Sequence, residues 1–266
     1  MSTHTAPSEA RAPLVPRTVG VTPAPFLPGP APRPHTVPQS LLLHLAPGVV
    51  VLAGYAVLVP IARHYQLPSA AALAATGLVV IAPVQLGLLR RHERRHPGES
   101  AVQLQRKVPL ARLLALAVLE IVLAAVAFVL AAPLADRLQG AFSWWPSAWA
   151  VDLGNSPGYS RAAQLITALL LLLGTVLTAP LVEEVYFRGY LLPRMPQRLG
   201  STAPLAHATL FALYHLQTPW LSPTRILAIT PLAYIAARTR DVRIGMVAHV
   251  ILNAVDLVVL VLFIVY

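Results

Sequence analysis

Seven apolar runs constrain this chain more than any other feature of it. They lie at about Leu41–Ala62, Ala70–Leu89, Leu110–Leu134, Ala162–Leu192, Ala203–Leu216, Arg225–Ala237 and Ile244–Tyr266. A bilayer core takes about 20 helical residues to cross. Lipid offers no partner to a free backbone N–H or C=O, so runs of this kind must close their hydrogen bonds as helices. The expected fold is therefore all-α, a polytopic transmembrane bundle of seven to eight helices, with the short fifth and sixth runs tilted, kinked or sheltered by neighbours. Composition agrees: 56% of residues are hydrophobic and 11% charged, with a mean hydropathy of +0.66, against roughly 25% charged in a soluble domain.

Ten of the 26 prolines fall before residue 40, and no apolar run there is long enough for a signal-peptide core, so residues 1–39 read as a disordered tail ahead of a membrane domain at 40–266. The net charge of +10 comes from few acids and many arginines. It reads as anchoring to anionic lipids at the cytoplasmic face, with no nucleic-acid partner. The densest basic stretch runs from Arg90 to Lys107, and Arg194, Arg198, Arg238, Arg240 and Arg243 follow the fourth and sixth runs. With the N-terminus inside, all of these fall on the cytoplasmic side of a plasma-membrane protein. Trp144, Trp145 and Trp149 then sit in the opposite loop as interfacial anchors. The absence of cysteine excludes thiol nucleophiles, disulfides and thiolate metal sites.

The fourth run carries Glu183-Glu184-Val-Tyr-Phe-Arg188. An ionisable group at membrane depth costs on the order of 3 kcal/mol, so it marks a functional site by default. Glu184 and Arg188 are four apart in the favourable acid-before-base order and can neutralise each other. Glu183 points about 100° away around the helix and lacks that partner. Phe211 and His215 are four apart in the fifth run, as are His249 and Asn253 in the seventh, with Asp256 further along the same face. Glu183 and His215 lie at similar distances from the turn near Gly200, so antiparallel neighbours bring them level. His249 is shallower and has to be brought in by tilt.

A buried carboxylate with histidines and an asparagine suits hydrolysis by an activated water: Glu183 as general base, His215 to orient or deprotonate the water, His249 and Asn253 as donors to an oxyanion. No cofactor is expected. A metal-dependent version remains the alternative, in which His215, His249 and Glu183 form a three-ligand zinc site. The other alternative is a non-catalytic scaffold, immunity protein or transporter, in which the same residues act as interhelical glue or a proton path. No internal repeat of the transporter kind is visible.

Glu183-Glu184-x-x-x-Arg188, Phe211-x-x-x-His215 and His249-x-x-x-Asn253 resemble, in order and apolar context, the three motifs of the CPBP intramembrane protease family, the type II CAAX prenyl endopeptidase or Abi family. The resemblance covers about residue 162 to the end. It implies a bundle of about eight transmembrane helices and a glutamate-dependent endopeptidase acting on membrane-associated substrates, some with prenylated C-termini. Glu183 and His215 would activate water, His249 and Asn253 would form the oxyanion hole, and Glu184 with Arg188 would support the site. The proline-rich tail and first two runs carry no family signature.

Other signals are weaker. His92-Glu-Arg-Arg-His96 has the HExxH spacing of zinc proteases, but it reads as a solvent-facing basic loop ended by Pro97-Gly98, and its arginines would repel a dication. Gly154-Asn-Ser-Pro-Gly158 matches the serine-hydrolase elbow, yet Pro157 has no N–H for an oxyanion hole. Glu120 is a lone carboxylate that pairs with a histidine or stays protonated. His207 reads as a boundary residue, and His44 has no reading of its own.

Overall fold

The computed structural model of the protein describes residues 32–102, 108–146, 149–154 and 158–265. Every regular element among them is helical. Apart from short 3-10 turns, seven helices lie among the described residues: α1 (Val37–His64), α2 (Ser69–Arg95), α3 (Leu110–Ala141), α4 (Arg161–Arg194), α5 (Ala203–Tyr214), α6 (Ser222–Thr239) and α7 (Val242–Val265). Five of them, α1 to α4 and α7, are long and apolar enough to cross a bilayer. The seven helices match the expected bundle, with the fifth and sixth again the weakest candidates for crossing alone. The 12 residues of α5 reach only about 18 Å, and α6 carries Arg225 and Arg238 within 18 residues.

The helices are packed inside out relative to a soluble bundle. On α3 the buried face is Leu113, Ala117, Glu120, Ala124, Ala131 and Ala135, four alanines with one leucine and one acid. Its outer face shows Val118, Val122, Val129 and Leu130. Lipid is as apolar as leucine, so association rests on close backbone approach at small residues rather than on hiding large ones. Glycines mark the tightest crossings: a Cβ on Gly174 of α4 would sit 1.9 Å from the Ala74 carbonyl of α2, and one on Gly48 of α1 would sit 2.3 Å from the Tyr214 carbonyl of α5.

Helix α1 starts with a capping box, Thr36 and Gln39 exchanging side-chain to backbone bonds. The expected 1–39 tail lies outside the described residues as far as residue 31, and α1 begins within its end. Between α6 and α7, Arg240 adopts the left-handed conformation at φ 53°. Asp241 then accepts from the Arg243 N–H and, at 2.9 Å, from the Val108 N–H. Burial pushes its carboxyl up, but these bonds and the Arg243 charge hold it below the usual carboxylate range.

Candidate active site

The middle of α4 is not regular α-helix. Widened π turns at Leu171–Thr178 and Glu184–Leu191 flank the short α segment Ala179–Glu183. Pro180 has no N–H to return to the preceding turn, and such widened turns recur at functional sites. Glu183, Glu184 and Arg188 are buried here, at 3%, 0% and 3% exposure. Arg188 Nη1 lies 3.1 Å from Glu184 Oε1, close enough to neutralise it but not aligned as a hydrogen bond. The guanidinium carbon lies over the Phe211 ring, 4.1 Å from its centroid.

His249 reaches this centre. Its Nδ1 is 3.2 Å from Glu184 Oε1 and its Nε2 4.0 Å from Glu183 Oε2, so one imidazole spans both carboxylates. The approach depends on Gly245, one turn earlier on α7, where a Cβ would come within 2.1 Å of Glu184 Oε2. A side chain at 245 would hold α7 away.

His215 ends α5. Its Nδ1–H donates to the Phe211 carbonyl at 2.9 Å; a carbonyl only accepts, so Nε2 is left carrying the lone pair. The Phe211 ring packs between the two imidazoles, 4.9 Å from His215 and 6.3 Å from His249. Asn253 turns elsewhere: its Nδ2 donates to the Thr175 carbonyl at 3.0 Å, inside the first widened turn. Glu183, Glu184, Arg188 and His249 thus form one cluster, His215 adjoins it across Phe211, and Asn253, on α7, stands apart with its side chain on the Thr175 carbonyl of α4.

Sequence reasoning missed several neighbours. Tyr214 is buried, faces Glu183 and accepts from Gln85 Nε2 at 3.1 Å. A lone Gln in the second apolar run was the available signal. Arg225, read only as a run boundary, donates to Thr218 at its carbonyl and, at 2.8 Å, its Oγ1. Glu120 is fully buried with neither oxygen hydrogen-bonded, and its electrostatic neighbours are Arg188 and Glu184 rather than a histidine. His44 and His207 are a buried pair, His44 Nε2 to His207 Nδ1 3.0 Å.

The HExxH stretch also needs correcting, since it is the last turn of α2 rather than a loop. His92 turns inward to the Tyr190 hydroxyl at 3.3 Å and Glu99 at 3.6 Å. Arg194, expected as a loop charge, is fully buried and donates to the carbonyls of Tyr190, Ser100 and Ala101 and to Glu99 Oε1 at 2.9 Å. Burial pushes Glu99 up, but the Arg194 hydrogen bond and charge hold it below the usual carboxylate range. Nearby His35 is lowered to about 4 by burial, Arg194 and His92. Residues 155–157 of the serine-elbow match lie outside the described residues. Among the described residues no three His, Asp or Glu side chains converge as a metal site requires.

Fold and site together define a multi-pass helical membrane protein with a buried ionisable centre built on three helices. Residues 165–255, which carry all three motifs, match the family model described as Type II CAAX prenyl endopeptidase Rce1-like. Over that segment the chain is similar to the CPBP/CAAX protease family. No curated protein and no solved structure matches it.

Proposed function

We propose that the chain is an intramembrane endopeptidase that cleaves membrane-associated protein substrates, C-terminally lipidated CAAX-type ones included, by attack of water. The observation that carries this reading is the convergence of Glu183, Glu184 and His249 in one buried cluster, beside a His215 whose Nε2 is free to accept. One water between the Glu183 carboxylate and His215 Nε2 can give a hydrogen to each, which aims its lone pair at a substrate carbonyl. Glu183 takes the proton as the water oxygen bonds to the carbonyl carbon. The C–N bond then breaks as that proton passes to the leaving nitrogen.

His249 donates to the oxyanion from Nε2 when its ring carries both protons, with Nδ1–H on Glu184. Asn253 has a second N–H beyond the one on Thr175 and serves the same oxyanion. Glu184 and Arg188 hold His249 in orientation. The active site and N-terminus face the cytoplasm of a plasma-membrane protein, with anionic lipids at the basic end and no nucleic-acid partner. Because the chain has no cysteine, single cysteines at Arg198 and Ser143 report orientation without background: label reaches position 198 only from the cytoplasm.

The test is cleavage of membrane-anchored and C-terminally lipidated peptides by wild type, Glu183→Gln and His215→Ala, each matched for helicity and Tm. Glu183→Gln loses at least about 1,000-fold in kcat/KM and His215→Ala at least about 100-fold. Equal cleavage by all three overturns the proposal. Activity that survives chelation in zinc-free protein rules out the metal-dependent version, and activity lost on chelation and restored by zinc establishes it.

A further inference from the structure

At the basic end of the bundle a groove of about 640 Å³ opens between α1 and α2. It is separate from the centre described above: none of Glu183, Glu184, His215 or His249 lines it. Its two halves differ in chemistry. One wall is apolar, made by Leu42, Leu43, Val50, Val84 and Leu88. The mouth carries Arg33, Arg91 and Arg95, exposed, with no carboxylate partner among the described residues. The one acid in the lining, Glu99, is already held by Arg194 at 2.9 Å. The mouth therefore keeps an uncompensated positive charge above an apolar slot, and the volume is of ligand size.

We propose that this groove binds an anionic phospholipid, its phosphate at the arginines and one acyl chain along the α1–α2 wall. A free phosphate would leave the apolar wall in water. A peptide would bring N–H and C=O groups against a wall with nothing to pair them. A zwitterionic lipid would fill the slot but bring its own cation to three arginines. Guanidinium forks match phosphate oxygens two at a time, and each basic residue near an anionic headgroup contributes about five-fold in affinity.

Arg90 and Arg94 make the test specific. They are exposed on the same turns of α2 and are absent from the lining, so removing them changes the net charge equally. Binding of dioctanoyl phosphatidylglycerol, dioctanoyl phosphatidylcholine and inorganic phosphate to the full chain in detergent is measured by calorimetry and native mass spectrometry. Wild type is expected to prefer the phosphatidylglycerol over both other probes by more than about ten-fold. R91Q/R95Q weakens it about thirty-fold, while R90Q/R94Q changes it less than about three-fold. Equal weakening in the two variants would mean diffuse surface attraction and overturn the site, as would equal binding of phosphatidylcholine. Inorganic phosphate binding as tightly as the lipid would overturn the acyl half of the proposal. Proteolysis plays no part in the readout, so the result stands apart from the proposed activity.

Discussion

Helix α4 buries two arginines six residues apart, and they are solvated by the protein in opposite ways. Arg194 gives its guanidinium to three backbone carbonyls and Glu99. Arg188 has a carboxylate beside it and a ring beneath it, but no hydrogen bond from Nε, Nη1 or Nη2. Near it, one oxygen of Glu184 and both of Glu120 are also unpartnered. A buried charge whose two terminal nitrogens are both hydrogen-bonded is a structural fixture. One left under-bonded beside other under-bonded groups is tolerated where the groups are needed for chemistry.

The contrast breaks most sharply when each arginine is removed together with its acid. E184Q/R188M replaces a neutralised pair by a neutral one, so stability stays within about 1 kcal/mol of wild type. His249 loses its orienting carboxylate, and kcat/KM falls by about 1,000-fold. A matching loss of Tm and activity in this variant would make the pair structural. E99Q/R194M should do the reverse. The buried carbonyls of Tyr190 and Ala101 lose the Arg194 donors, and the protein loses about 3 kcal/mol, while activity per folded molecule stays within about three-fold. Chemical denaturation and kinetics on the same samples separate the two.

Gly245→Ala probes the approach that joins α7 to the acids. Its methyl must displace Glu184 Oε2, costing about 2 kcal/mol and about ten-fold in activity. Acid should produce the smallest effect, and it belongs to the structural end. Glu99 and Asp241 have lowered native values, so the unfolded chain binds protons more readily. Their contribution is complete above the ordinary carboxylate range and is lost as pH falls through the native values. Tm should decline over that interval, and D241N should flatten the decline.

What was legible in the sequence was local. Glu184 with Arg188, Phe211 with His215, and His249 with Asn253 are pairs within single helices, and a period of 3.6 residues finds them. Gln85 and Tyr214 meet across 129 positions, and Gly245 matters only because α4 passes beside it; neither is visible in periodicity. Arg194 was misread because a charge at the end of an apolar run looks like a loop anchor. Its burial follows from the residues after α2 folding back over it. The HExxH stretch was misplaced for a related reason: its arginines suggested solvent, whereas it continues α2 and turns one histidine inward. The seven-helix bundle was legible in the apolar runs, and so was the weakness of α5 and α6, which are short or charged and lean on their neighbours.

The pairing of Glu184 with Arg188 lies within one helix, and this bears on how the protein is made. When α4 leaves the translocon it already carries its own counter-ion, so that carboxylate can enter lipid before any other helix arrives. Glu183 has no such companion until α7, translated well after α4, supplies His249. Truncation before Val242 should therefore leave α4 inserted but weakly retained, with Glu183 as the exposed signal by which membrane quality control recognises an unfinished chain.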